Sequence, residues 1–67
     1  MEEKVTYEVP AVHCAHCEAA IVREVAAVRG VESVTVDLER KLVEVRGEGL
    51  DDDVLRAAID EAGYDVR

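Results

Sequence analysis

The 67-residue chain contains no phenylalanine, no tryptophan and only two tyrosines. Its core therefore has to be filled by aliphatic side chains, which account for most of the hydrophobic 49% of the residues. With one proline and four glycines the composition is that of a globular protein and not of a disordered one. A chain this short is near the lower size limit for independent folding. We therefore expect a single domain, residues 1–67, without a deep substrate cleft.

Basic residues are also scarce, since eight Lys and Arg stand against sixteen Asp and Glu, for a net charge of −8. An acidic surface repels phosphate backbones, so we expect no nucleic-acid partner.

The longest apolar runs, such as residues 19–22, are far too short to cross a bilayer, so no membrane insertion is expected. The acidic start lacks an apolar stretch of signal-peptide length. The expected compartment is the cytoplasm, where thiols stay reduced.

The first half of the chain predicts a strand followed by an amphipathic helix. Apolar and polar residues alternate over residues 5–9, and Pro10 ends this strand because it lacks a backbone donor. Residues 10–16 are a predicted loop. From Cys17 onward the apolar residues recur with the period of a helix, and Gly30 is its predicted C-terminal cap.

The second half predicts a hairpin, a second helix and a short final strand. Strands are expected at residues 34–39 and 43–46, joined by a tight polar turn at Arg40 and Lys41. The Asp triplet 51–53 suits the N-cap and first turn of a helix that Gly63 ends, and residues 64–66 are the predicted last strand. The order β-α-β-β-α-β predicts an α+β, ferredoxin-like open-faced sandwich, with a four-stranded antiparallel sheet and both helices on one face.

Every cysteine and histidine of the chain lies within the five positions from His13 to Cys17. Cys14 and Cys17 form a C-x-x-C pair, with Cys14 in the predicted loop and Cys17 in the first helical turn. Unpaired N–H groups and the positive helix end stabilise a thiolate there, and thiolates both bind metals and attack disulfides. This placement favours a reactive pair over a buried core cysteine with an incidental neighbour.

Metal binding fits this pair better than redox catalysis does. A dithiol oxidoreductase would need a longer, thioredoxin-like chain with an aromatic residue beside the cysteines, so we expect no enzyme. Haem attachment would need a histidine where Glu18 stands. Four ligands crowded into five consecutive residues would strain a closed tetrahedral zinc site. Two thiolates with few other ligands suit a soft ion of low coordination number such as Cu(I).

The segments VHCAHC, VRGVESVTVDLERKLVEV and LRAAIDEAGYDV resemble the heavy-metal-associated domain family over nearly the whole chain. This family is typified by small bacterial copper chaperones and by N-terminal domains of copper-transporting P-type ATPases. The resemblance implies that Cys14 and Cys17 are metal ligands. The Gly-Met of the family motif is replaced here by Ala11-Val12, and Val12 is expected to anchor the loop in the core as that Met does.

The resemblance also bears on three neighbours of the pair. His13 occupies a variable motif position and is expected to be a solvated loop residue more than a ligand. His16 matches a histidine that usually lies beside the metal without binding it. Tyr64 stands where bacterial copper chaperones carry a tyrosine, either to shield the thiolates or to close the end of the core, and both roles are compatible.

The function implied is that of a cytoplasmic copper chaperone, which binds one Cu(I) and passes it by ligand exchange to a copper-transporting P-type ATPase or its metal-binding domain. One alternative is transport of Zn(II), Cd(II) or Hg(II), with His13 or an acidic residue as a third ligand. Another is a metal-binding domain excised from a transporter or reductase, although the initiator Met and clean ends favour a free protein. We expect a monomeric apo form whose exposed thiolates allow a copper-bridged dimer, and a basic docking face on the partner.

Overall fold

The computed structural model describes residues 2–66. Their elements are strand β1 (Glu3–Glu8), helix α1 (Ala15–Ala26), strand β2 (Val31–Asp37), strand β3 (Leu42–Gly47) and helix α2 (Asp52–Glu61). Strand β3 lies in the middle of the sheet and pairs antiparallel with both β1 and β2. Neither helix has the length and hydropathy that a bilayer crossing requires. The expected combination of an antiparallel sheet and two helices is confirmed.

The sheet and both helices contribute to one aliphatic core. Alternation in the strands directs every second side chain inward, and the helices bury residues at spacings of three and four. The buried members are Tyr7, Val9, Val12, Cys17, Ile21, Val25, Val43, Val45, Leu55, Ala58 and Ile59. The other face of β1 carries exposed polar residues such as Lys4 and Thr6. The sheet is thus covered on one side only, as the sequence predicts.

The predicted fourth strand is absent from the described part of the chain, where residues 64–66 have no strand pairing. The amide of Tyr64 instead donates to the carbonyl of Ile59 at 3.2 Å, and the amide of Gly63 donates to Asp60 at 2.9 Å. These bonds end α2 around Gly63, whose φ of 95° is the left-handed conformation expected of a helix-ending glycine. The backbone at Tyr64 therefore completes the helix end, and the four-stranded sheet is corrected to three strands.

Helix α1 also differs from its predicted bounds. It begins at Ala15, two residues before the expected Cys17, and ends at Ala26 with Ala27 as its C-cap. Gly30 lies beyond this end with a φ of 93°, and its carbonyl accepts a 2.9 Å hydrogen bond from the amide of Glu48. Gly30 is therefore not the helix cap. It is needed where the chain turns into β2 and passes close to the segment that follows β3.

The hairpin has longer strands than its alternation predicts, because β2 already begins at Val31 and continues past a register irregularity before Ser33. Its turn occupies residues 38–41, where Oδ1 of Asp37 accepts hydrogen bonds at 3.0 Å from the amides of Glu39 and Arg40. Lys41 completes the turn with a φ of 62°. A side-chain bond from Asp to the backbone two and three residues on is a common turn device.

Candidate metal centre

The loop between β1 and α1 is tied to the core by two valines. Val9 and Val12 are both fully buried, and the amide of Val12 donates to the carbonyl of Val9 at 3.1 Å. The amide of Val9 donates in turn to the carbonyl of Lys41 at 2.8 Å, which fastens the loop to the start of β3. Val12 thus lies in the core, as expected of the residue that replaces the family's Met.

This anchored loop delivers Cys14 to the N-cap of α1. Its backbone is extended, its carbonyl accepts from the amide of Glu18 at 3.1 Å, and its side chain makes no capping bond. The Cys14 thiol is half-buried and the Cys17 residue, one turn into the helix, is only 8% exposed. Their Sγ atoms lie 3.2 Å apart, and both thiols are free. The local geometry thus brings the predicted pair together, with Cys14 at the N-cap of α1 and Cys17 in its first turn.

The environment of Cys17 favours its thiolate. The pKa of Cys17 is lowered from 9.0 to about 7, and a hydrogen bond from the Tyr64 side chain is the largest contribution. The Cys14 side chain and the backbone and charge of His13 act in the same direction, while burial opposes them. The same contact raises the pKa of Tyr64, since a neutral hydroxyl is the donor that a thiolate needs. The expectation of an easily ionised thiol is met, but the largest contribution comes from Tyr64 and not from the helix end.

Tyr64 lies between the core and the cysteine pair. Its ring is half-buried and packs against the core, and its hydroxyl stabilises the Cys17 thiolate and so lowers the pKa of Cys17. This contact depends on the end of α2, where the backbone bond from Tyr64 to Ile59 places the residue beside the cysteine loop. Tyr64 therefore adds a hydroxyl group to the site from a segment almost fifty positions away in the chain.

The two histidines behave differently. A ring nitrogen of His13 lies in one group with Sγ of Cys14 and Sγ of Cys17, all within 4.8 Å of one another. Nδ1 of His13 is 2.8 Å from the carbonyl oxygen of Ala11. His16 is exposed on α1 and belongs to no such group among residues 2–66. The partner of the His13 ring is a backbone carbonyl, so no side-chain pattern in the sequence signals it.

The arrangement brings soft donors together beside a half-buried thiol. Two sulfur atoms suit a soft, low-coordinate ion, and the imidazole adds a borderline donor within reach. A thiol with a pKa near 7 is about half thiolate at neutral pH. Metal binding to Cys17 therefore has to release a proton from only about half of the molecules. The chemistry that these residues support is the binding of a thiophilic metal ion.

Comparison with known proteins identifies the family to which this domain belongs. The model of the heavy-metal-associated domain matches residues 6–65. The chain is 33% identical over 64 residues to the COP-associated protein of Helicobacter pylori, covering 94% of this chain and 97% of that protein. Its structure resembles that of a CopZ metallochaperone with a TM-score of 0.92 and 28% identity, over 97% of this chain and 100% of the other.

A further similar structure is the N-terminal domain of a potential copper-translocating P-type ATPase from Bacillus subtilis, determined in a Cu(I)-loaded state. The TM-score is 0.88 and the identity 25%, over 100% of this chain and 86% of that domain. A metallochaperone and a transporter domain thus share the fold of this chain. On its sequence match and its fold, the chain belongs to the heavy-metal-associated domain family.

Proposed function

We propose that this domain is a carrier of Cu(I), which Cys14 and Cys17 bind as thiolates. The observation that carries this proposal is the pair of free thiols with Sγ atoms 3.2 Å apart at the start of α1. Two thiolates satisfy a soft ion of low coordination number. The similarity to a copper metallochaperone and to a Cu(I)-loaded ATPase domain supports the choice of copper.

The proposed acceptor is the metal-binding domain of a copper-transporting P-type ATPase, and the proposed compartment is the cytoplasm, where thiols remain reduced. Transfer proceeds by ligand exchange. A cysteine thiolate of the acceptor forms a bond to Cu(I), and the bond to Cys14 then breaks with the electron pair kept on sulfur. Cys14 leaves first because it is a half-buried N-cap residue, whereas Cys17 is held in the helix and bonded to Tyr64.

This is a role in carriage and not in catalysis. The oxidation state of copper and of both thiols is unchanged, so the exchange needs no electron donor. Catalysis of disulfide reduction would instead need a cycle between dithiol and disulfide. An insulin-reduction assay separates the two functions, and we expect no turnover above that of an equal concentration of simple dithiol.

The first test is an anaerobic titration of the reduced protein with Cu(I) in competition with a chromogenic chelator. We expect one Cu(I) held per chain, and loss of this binding in both Cys14→Ser and Cys17→Ser. His16→Ala is the matched control, because His16 is exposed and lies outside the group of donor atoms. Removal of copper from the unmodified protein by the chelator would refute the proposal.

The second test follows transfer. The Cu(I)-loaded protein is mixed with a purified ATPase metal-binding domain, the two are separated by ion exchange, and copper is measured in each. We expect copper in both fractions within the mixing time, at a ratio independent of which partner was loaded. Analytical ultracentrifugation of the loaded protein alone shows whether copper bridges two chains. Copper that stays with its original carrier would contradict the exchange mechanism.

A further inference from the structure

The His13 imidazole is the one nitrogen donor near the cysteine pair in the described part of the chain. A ring nitrogen of His13 and both Sγ atoms all lie within 4.8 Å of one another, and no carboxylate of residues 2–66 joins this group. Cu(I) is satisfied by the two thiolates, so the imidazole is surplus to a two-coordinate copper site. The arrangement therefore contains one more donor than the proposed cargo needs.

The bond between His13 and Ala11 determines which ring nitrogen is available. A carbonyl oxygen only accepts hydrogen bonds, so in the 2.8 Å contact with Ala11 it is Nδ1 that carries the hydrogen. The lone pair of the neutral ring then resides on Nε2. Histidines that bind metals commonly donate their other N–H to a backbone carbonyl or carboxylate, which orients the ring and raises its basicity. His13 has this arrangement before any metal is bound.

The distances among the three donors are close to those of a zinc site. Tetrahedral Zn(II) with bonds of about 2.3 Å to sulfur and about 2.0 Å to nitrogen places its sulfurs about 3.8 Å apart and each sulfur about 3.5 Å from the nitrogen. The sulfurs are 3.2 Å apart here, and the nitrogen lies within 4.8 Å of both. His13 is exposed in a loop, so its ring can turn Nε2 toward the sulfurs without disturbing the core.

We propose that His13 is a third metal ligand, which together with Cys14 and Cys17 lets this site bind a divalent zinc-group cation, with Zn(II) as the test ion. The fourth position stays open to water or to an incoming ligand. His13 thereby determines which metals the domain holds: the thiolates alone serve Cu(I), and the imidazole is added for Zn(II). This inference rests on the proposed role of the two cysteines as ligands, but not on the identity of the copper acceptor.

The test measures Zn(II) and Cu(I) affinities in parallel for the reduced protein and for His13→Ala, each against a chromogenic chelator. We expect His13→Ala to weaken Zn(II) binding at least about 10-fold. Loss of a residue that only hydrogen-bonds to a metal ligand already costs about this much, and loss of a ligand should cost no less. Its Cu(I) affinity should stay within about threefold of the unmodified protein, since both thiolates remain. His16→Ala removes a neighbouring exposed imidazole and should leave both affinities unchanged.

X-ray absorption at the zinc edge gives a readout of coordination that a purely structural role of His13 would not alter. The unmodified protein and His16→Ala should show imidazole scattering together with two sulfurs, and His13→Ala should lose the imidazole signal. Equal Zn(II) affinity of His13→Ala and the unmodified protein would overturn the proposal, as would imidazole scattering that disappears in His16→Ala instead. Absence of any Zn(II) binding by the unmodified protein would overturn it as well.

The outcomes separate this inference from the proposed function. Cu(I) binding that needs both cysteines, combined with Zn(II) binding indifferent to His13, would leave the copper carrier intact and refute the His13 ligand. Zn(II) binding that depends on His13, combined with Cu(I) stripped by the chelator, would do the reverse. Cys14→Ser and Cys17→Ser should lose both metals, and retention of Zn(II) in either variant would refute the shared site.

Discussion

The hydroxyl of Tyr7 lies 2.7 Å from Oδ1 of Asp52, and this hydrogen bond joins β1 to the start of α2. Tyr7 is only 3% exposed, so its hydroxyl needs a partner. Asp52 also accepts from Nε of Arg56 at 3.0 Å, and the Arg56 guanidinium lies 5.6 Å from the centre of the Tyr7 ring. Burial and the bond to Asp52 raise the pKa of Tyr7, and the same bond lowers the pKa of Asp52. A neutral donor therefore meets a charged acceptor across most of the pH range.

Replacement of Tyr7 by Phe removes this bond while keeping the buried ring. Hydrogen bonds to charged groups contribute about 1.5–3 kcal/mol, and the partly exposed Asp52 regains water, so we expect a loss of about 1–2 kcal/mol of unfolding free energy. Urea unfolding at neutral pH measures it. The folded pKa of Asp52 is depressed, so the contribution is present above the ordinary Asp pKa of 3.8 and is lost as pH falls through the lower folded value. A difference between the two proteins that persists unchanged in strong acid would contradict this account.

The bond from Tyr64 to Cys17 predicts a pH dependence of thiol reactivity. Cys17 should be alkylated by iodoacetamide with a midpoint near pH 7, and Tyr64→Phe should move this midpoint upward, toward the ordinary value of 9.0. Mass spectrometry that locates the label separates Cys17 from Cys14. Tyr7→Phe is the control, since it removes the other tyrosine hydroxyl far from the thiols. An unshifted midpoint in Tyr64→Phe would show that the hydroxyl does not stabilise the thiolate.

The same bond links pH to the stability of the reduced, metal-free protein. Because the folded pKa of Cys17 lies below its unfolded value, the stabilisation is full above pH 9.0 and is lost as pH falls through about 7. Unfolding free energy should therefore rise from pH 7 to 9 more steeply in the unmodified protein than in Tyr64→Phe. Parallel pH profiles for the two proteins would contradict the prediction.

Two glycines of nearly equal backbone geometry differ in the space around them. Gly30 and Gly63 have φ angles of 93° and 95°, so alanine is strained at either position. A Cβ on Gly30 would overlap the carbonyl oxygen of Glu48, whereas a Cβ on Gly63 meets nothing within 4 Å. We expect Gly63→Ala to cost about 1–2 kcal/mol from backbone strain. Gly30→Ala should cost about 1–3 kcal/mol more, because it adds overpacking. Equal melting temperatures for the two variants would rule out the close approach at Gly30.

The first residue of the Asp triplet has a defined structural role. Oδ1 of Asp51 accepts from the amide of Asp53 at 3.0 Å and from that of Val54 at 3.4 Å, so Asp51 is the N-cap of α2. Asp51→Ala should cost about 0.5–2 kcal/mol, measured by urea unfolding. Asp51→Asn keeps the acceptor and loses the charge, and it should recover most of the difference. An Asn variant as unstable as the Ala variant would indicate that charge alone accounts for the effect.

Much of this molecule is predictable from short-range pattern. Alternation in residues 5–9 and around Val43 and Val45 identifies strands, because a half-buried strand directs successive side chains to opposite faces. The Asp triplet identifies the start of α2, because the cap bonds span only two or three residues. The C-x-x-C spacing likewise places both thiols at one helix start, since three residues make nearly one turn.

Two backbone features could not be predicted from short-range sequence pattern. Residues 64–66 have the composition of a strand, but the amide of Tyr64 is used by the end of α2, so the expected fourth strand does not form in the described chain. The sequence predicts Gly30 as a helix cap. In the structure a Cβ at this position would overlap the carbonyl oxygen of Glu48, which follows β3, and the Glu48 amide donates to the Gly30 carbonyl. Propensity describes the neighbours of a residue in sequence, whereas Gly30 is decided by a neighbour in space. At Tyr64 a strand competes with a helix end only five positions back, and the helix end takes the amide.

Local sequence thus established the order of the two helices and the first three strands, the aliphatic core and the candidate metal ligands, since each follows from spacings of a few positions. Tertiary structure decided the environment of those residues. It placed Tyr64 beside Cys17 and Asp52 beside Tyr7, and both contacts join residues more than forty positions apart. The bond of His13 to Ala11 spans only two positions, but it goes to a backbone carbonyl, which every residue carries. The pKa values of Cys17 and Tyr7 are therefore properties of the folded chain.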